Sequence, residues 1–246
     1  MNCIEGGTRM RNMLKWLACA AIIAVGAMMA GCSAMALDKG WELSYVPPET
    51  QPIEKPRSIT VYEFMDDRPE QATVGGEYNA IGAMTERYQT ARPLVQVVTD
   101  AVTANLEAQG FAVVRSSGWN LSPGTLRNVA TELAMGGKIR ACWVERQPKN
   151  YTGSSLGFVG ANMTANVNLH VVIASPSGKE ILWEGDLVCA DTYRHDFAVF
   201  AGSMPKPQAM LENALKGAVD QLVANPDIQR VLRLEISPMF GWTVSF

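Results

Sequence analysis

The sequence predicts an α+β fold: a single mixed β-sheet with helices packed mainly on one face, preceded by an export signal and an extended tether. Three observations predict it. Apolar residues recur at helical spacing in three stretches and alternate with polar ones in several others. Early strands are separated by helices, which parallel pairing requires, whereas the later strands follow one another directly. The ~190 residues that follow the tether suit one core.

The chain opens with Arg9, Arg11 and Lys15 ahead of an apolar run, Leu17 to Met29, the form of a secretion signal. The run is too short for a bilayer, which takes ~20 apolar residues. Met10 or Met13 would serve as start equally well. Met29-Ala30-Gly31-Cys32 reads as a lipobox: cleavage after Gly31 leaves Cys32 as the acylated first residue of the mature protein. A competing Ala34-Met35-Ala36 would suit an ordinary signal peptidase and release a chain starting at Leu37. Two or more acyl chains give stable anchoring, at about 0.8 kcal/mol per buried CH₂. The organisation read is therefore signal 1–31, lipidated Pro-rich tether 32–57, and periplasmic domain 58–246.

Removing residues 1–31 takes away Arg9, Arg11, Lys15 and Glu5, so the formal charge moves from -3 to -5. A mildly acidic chain lacks the electrostatic footprint of nucleic-acid binding. Cys3 and Cys19 leave with the signal, so Cys142 and Cys189 are the two thiols left for the folded domain. They are read as one disulfide or as two buried thiols, since sequence does not give strand register.

From Ser33 to Arg57, Pro47, Pro48, Pro52 and Pro56 favour an extended spacer. Ser58 to Phe64 alternates as a first strand. Asp66 to Ala91 reads as a long loop, of the kind that is usually functional or poorly ordered. Pro93 opens a helix whose stripe is Leu94, Val97, Val98, Ala101, Val102 and Leu106; Gly110 caps it and a strand, Phe111 to Arg115, follows. Ser122-Pro123 starts a second expected helix with Leu126, Val129, Ala130 and Leu133 buried, stopped at Gly136-Gly137. Strands are expected at 138–147, 162–174 and 180–192, the last two joined by the turn Ser175-Pro176-Ser177-Gly178. Val167, Leu169, Val171 and Ile173 alternate with Asn166, Asn168, His170 and Val172, which gives that strand one buried face. A closing helix, Pro207 to Ala224, ends at Asn225-Pro226.

In that order the lipobox, "SITVYEFMDDRPE", "VGGEYNAIG", "NLEAQGFAVV" and "GKEILWEGDL" resemble the YajG-like family of bacterial lipoproteins. The resemblance spans most of Cys32 to Ala224. It implies a small α/β domain on an outer-membrane lipoprotein and supplies no catalytic residues. Ser33 after the cysteine, by likeness to lipoproteins of Gram-negative bacteria, implies passage to the outer membrane with the domain on the periplasmic face.

Several groups are candidates for chemistry. Asp66 and Asp67 at a strand end suit a cation or an acid–base pair, and equally a solvated turn beside Arg68. Asp191, His195 and Asp196 lie close in sequence, and His170 is the only other histidine; no spacing matches zinc. The segment Gly153 to Gly160 lacks the Lys and Ser or Thr of a phosphate loop; Leu156, Phe158 and Val159 make it a candidate contact for a partner or bilayer. In the tail, Phe240, Trp242, Val244 and Phe246 alternate like a strand with one apolar face, laid over the domain itself or added to a partner's sheet. The expected site residues are thus Cys32 for lipidation and Leu156, Phe158, Phe240, Trp242 and Phe246 for partner contact, with no cofactor and no metal. The function expected is a non-enzymatic binding or assembly accessory that meets the membrane through acylated Cys32 and an envelope protein as partner. A carrier of a lipid-like ligand and an envelope hydrolase are the alternatives.

Overall fold

A computed structural model describes residues 37–50, 57–79, 81–150, 159–195 and 205–233. The described residues form one sheet of nine strands with helices against it. The strands are β1 (Leu37–Trp41), β2 (Ser58–Tyr62), β3 (Met65–Asp66), β4 (Gly75–Tyr78), β5 (Met84–Thr90), β6 (Ala112–Ser116), β7 (Leu133–Asn150), β8 (Val159–Ser175) and β9 (Glu180–His195). The helices are α1 (Leu94–Ala108), α2 (Pro207–Val219), α3 (Gln221–Ala224) and α4 (Pro226–Arg233).

Strand β7 is the spine. One edge pairs along its whole length with β8, which pairs in turn with β9, both antiparallel. Its other edge is shared: the first part carries β2 and then β6, the middle touches β3, and the far part carries β4, β5 and β1. Two short groups, β2–β6 all parallel and β4–β5–β1 mixed, thus hang from one long ribbon. The alternation read for β8 is what the fold uses. Met163, Ala165, Val167, Leu169, Val171 and Ile173 are buried in the main core with Ile139, Cys142 and Val144 of β7 and Leu187 of β9.

Helices α1 and α2 cover that inner face. Val98, Val102 and Leu106 of α1, and Leu211, Ala214, Leu215 and Ala218 of α2, are fully buried. Helix α2 sits unusually close to β9, because a Cβ on Gly217 would lie 2.5 Å from Cys189 Sγ. Helix α1 ends as its sequence says: Gly110 has φ 93°, its N–H donates to Glu107 O, and the Phe111 N–H donates to Leu106 O. That is a Schellman cap, whose left-handed position glycine fills without strain. A smaller cluster lies on the other side of the sheet, where Trp119 and Leu126 cover Tyr62, Ala134, Val172 and Ala174.

Four expectations need correction. The helix expected from Ser122 is a single 3-10 turn, Pro123–Thr125. Left-handed Leu121 (φ 65°) and Asn128 (φ 59°) break any helix there, and its apolar residues divide between the sheet's two faces, Leu126 outside and Leu133 inside. Gly136 and Gly137 do not stop a helix; they lie inside β7, where Trp119 and Phe64 pack directly on their backbone. The 66–91 loop contains β4 and β5.

The range read as spacer contains β1, and Trp41 and Leu43 are core residues, Trp41 stacked on Tyr88 at 4.3 Å. Gln208 Nε2 donates to Glu42 O, and Glu212 accepts from Ser44 N and Oγ. Tyr45 donates to Asp220 at 2.7 Å and accepts from Asn105, which bonds Gln109, which Gln229 of α4 reaches in turn. Burial pushes the Tyr45 phenol up, Asn105 opposing and Asp220 adding to the shift. The first segment of the domain is thereby bonded to its last helices. Fourth, α4 extends the chain's helices past Asn225-Pro226, with Ile228 and Leu232 buried.

The thiol question is settled by register. Cys142 pairs with Val167, and Val167 with Cys189, so a whole strand lies between them. Two interstrand spacings are roughly 9.6 Å, beyond the ~7 Å Cα limit for a bridge. Both thiols are free.

Candidate functional site

The outer face of β7–β8–β9 carries the polar half of the alternation. Asn162, Thr164, Asn166, Asn168 and His170 form a column along β8, each half-buried. Register sets Gln147, Glu145, Trp143 and Ala141 of β7 on one side, and Arg194, Thr192, Ala190 and Val188 of β9 on the other. The Oδ1 atoms of Asn162, Asn166 and Asn168 are buried and have no hydrogen-bond partner among the described residues. An amide oxygen shut from solvent without a donor costs about 1–3 kcal/mol.

The column ends in an ion-pair cluster. Asp186 accepts from Arg140 at 2.7 Å and faces His170 Nδ1 at 2.9 Å, while Glu184 faces His170 Nε2 at 3.0 Å. His170 is thus held between two carboxylates on the surface of the sheet.

Beside the column, on the same side of β7, lies a cleft of about 520 Å³ lined by Tyr78, Met84, Trp143, Arg140 and Glu145, with the 68–73 loop as its rim. Tyr78 and Met84 are opposed across β4 and β5, and Met84 folds over Gly76, where a Cβ would lie 3.3 Å from its Cγ and Sδ. Burial pushes the Tyr78 phenol up, with Glu145 adding to the shift.

Arg68 fixes the rim. Its Nε and Nη2 donate to the two oxygens of Asp66 at 2.9 and 2.8 Å; Nη1 donates to Thr73 O and Cys142 O, and Nη2 also to Gln71 O. All five guanidinium hydrogens are therefore committed. Asp66 and buried Arg68 form a staple between loop and sheet, so Asp66 is a holding group and not a free carboxylate. Asp67 is exposed and faces Lys138 at 3.6 Å.

Of the expected site residues, Cys32, Leu156, Phe158, Phe240, Trp242 and Phe246 lie outside the described residues, as does Asp196. His170 and Asp191 both lie in the β8–β9 hairpin, but His170 meets Asp186 and Glu184, not Asp191. Among the described residues no three His, Cys, Asp or Glu side chains are grouped to hold a metal. Trp143, Tyr78, Met84 and the asparagine column were not singled out from the sequence. The signal that would have found the column is an uncharged amide at outward positions of a long strand, where solvated strands carry charge.

No protein-family model matches the chain, and no curated protein matches it. Among solved structures it is similar to protein XCC0632 of Xanthomonas campestris, assigned to DUF330, with TM-score 0.47 and 13% identity over 80% of this chain and 95% of that one. It is also similar to the PelC dodecamer protein of Paraburkholderia phytofirmans, with TM-score 0.34 and 10% identity over 71% and 93%. Lipoprotein GNA1162 of Neisseria meningitidis gives TM-score 0.35 and 11% identity over 69% and 99%.

Proposed function

We propose that the protein is a lipid-anchored lipoprotein of the bacterial envelope whose domain works by binding, as an accessory on the periplasmic face of the outer membrane. Anchoring rests on the Leu17–Met29 run that ends at Met29-Ala30-Gly31-Cys32. Mass spectrometry of the mature N-terminus tests it: acylated Cys32 is expected, and a free Leu37 terminus would overturn it. The YajG-like resemblance agrees with this address.

Binding rests on one observation, the column of asparagine acceptors that have no donor among the described residues, beside the Trp143 cleft. A partner that brings hydrogen-bond donors to that face gains bonds that the free domain lacks. The groups suited to acid–base work are engaged otherwise: Asp66 with Arg68, His170 with two carboxylates. Photo-crosslinking residues placed at Asn166 and Val188 in cells test the reading, with Val114 on β6 as the control. A discrete partner trapped from the first two positions and not from the third is expected. The same products from all three would overturn the assignment of this face.

A lipid-like ligand is a second reading, favoured by Tyr78, Met84 and Trp143 in the cleft. The space between helices and sheet is filled by side chains such as Val98, Leu169 and Leu215, so the cleft is the place such a ligand would take. Lipid extraction from the purified protein followed by mass spectrometry tests that reading; wild-type but not Trp143→Ala protein should carry a bound lipid.

A further inference from the structure

We propose that the β4–β5 hairpin tip, led by Ile81, rests in the interfacial layer of the bilayer that holds the acyl chains of Cys32. The inference rests on the reading that Cys32 is lipidated and adds to it how the domain meets the membrane.

The first argument is chain length. Only Ser33–Ala36 separate Cys32 from Leu37, the first residue of β1. Five residues span at most roughly 17 Å. The prolines from Pro47 onward therefore do not lift the domain away, because the chain is already in the sheet by Leu37.

The second is direction. β1 runs parallel to β5, with Leu37 opposite Glu86 and Trp41 opposite Thr90. β5 starts at Met84, and β4 ends at Tyr78. The chain therefore joins the sheet at the end where the β4–β5 hairpin turns. Leu37, the register partner of Glu86, lies five positions after Cys32 in sequence, so the acyl chains are tethered within ~17 Å of the strand end that carries the turn.

The third is the chemistry of the tip. Ile81 is 88% exposed, more than Val46, Val114, Ile181 or Val188. The turn reads Asn79-Ala80-Ile81-Gly82-Ala83, without a charge. The backbone donors of Asn79, Ile81, Gly82 and Ala83 are served from within: Asn79 Oδ1 accepts from Ile81 N at 3.1 Å and Ala83 N at 2.9 Å, Asn79 O accepts from Gly82 N, and Ala83 O accepts from Asn79 N. A backbone that satisfies its own N–H groups is what entry into a poorly hydrated layer requires. Gly82, at φ 80°, makes the turn possible. Tyr78 at its base is a residue type that favours the headgroup level. The first charged side chain on β4, Glu77, lies further in and is paired with Arg146.

The test uses the full acylated protein purified from membranes and reconstituted on vesicles of phosphatidylethanolamine and phosphatidylglycerol. Ile81→Cys or Val114→Cys, each in a Cys189→Ser background, is labelled with an environment-sensitive fluorophore. Val114 lies by strand register roughly 40 Å from the tip. The expected result is a blue-shifted label at position 81, quenched several-fold by a quencher carried on lipid, and an unchanged aqueous signal at position 114. An aqueous label at 81 on protein that is acylated and vesicle-bound overturns the tip contact and leaves the anchor standing. A blue shift at 81 without vesicles overturns it in favour of protein cover. A mature chain that starts at Leu37 and stays off vesicles overturns both readings.

Discussion

The two faces of β8 are made of alternate residues on one strand, yet they are built for opposite ends. Inward, Met163 to Ile173 lose essentially all solvent to the helices, and every position is a hydrocarbon, a thioether or a small side chain. Outward, Asn162 to His170 keep some solvent, and three of them hold an acceptor left unbonded among the described residues. A face selected only for solubility would carry charge and complete its bonds. The difference between the faces therefore separates residues that hold the fold from residues that the fold holds in place.

The comparison breaks most sharply at Arg68, which lies on the outer side but behaves like core. Arg68→Ala should destabilise by about 3–5 kcal/mol, since it strands the Asp66 carboxylate and three carbonyls that the guanidinium serves. Urea unfolding followed by circular dichroism measures it. A loss below about 1 kcal/mol, the range of an exposed pair, would show that the staple is dispensable.

On the inner face, Leu169→Ala should cost about 2–5 kcal/mol, because Leu169 is fully buried between α-helical and strand neighbours and its removal leaves a cavity. Alkaline pH attacks the same side. Burial pushes the Cys142 thiol up to about 12 from 9.0, with Arg68 opposing and Asp66 adding, and it also raises the Tyr88 phenol. These folded-state values lie above the unfolded ones, so the stability they contribute is complete below pH 9 and drains as pH rises towards 12. Cys142→Ala should flatten the fall in melting temperature over that window. An identical pH profile in the variant would mean that the thiol ionises without opening the core.

Gly110→Val tests a junction between the layers and should cost on the order of 1–2 kcal/mol, because φ 93° is strained for a residue with a Cβ. An unchanged melting temperature would show that the α1 cap rearranges freely.

Legibility follows the same division. The inner alternation of β8, the α1 stripe and the Gly110 cap can be read from local sequence because each is a periodic or single-residue constraint. The segment after Ser122 misleads because Leu126, Val129, Ala130 and Leu133 have helical spacing by coincidence; two faces of a sheet share them, and only the tertiary fold separates the shares. Gly136-Gly137 misleads for a related reason: glycine marks a helix end in sequence and the close approach of Trp119 and Phe64 in space. β1 is hidden because a parallel edge strand draws its stability from β5, fifty residues away, and not from its own composition. The outer face is least legible of all. That Asn166 lies opposite Trp143, and Asn168 opposite Ala141, depends on a register that shifts between Ile139 and Ala141.

The smallest expected effect is the most telling. Asn166→Ala removes an amide whose oxygen has no donor among the described residues, at a position where the strand has already been paired on both sides by β7 and β9. The lost packing costs little, and the lost unbonded acceptor returns a desolvation penalty. The two should nearly cancel, within about 0.5 kcal/mol of wild type, as for surface substitutions generally. If Asn166 served stability, its removal would cost as a buried hydrogen bond does, on the order of 1 kcal/mol or more. Paired with crosslinking from Val188, the measurement separates the roles: unchanged unfolding with loss of the trapped partner assigns Asn166 to binding, whereas a clear loss of stability would return the outer face to the same structural duty as the inner one.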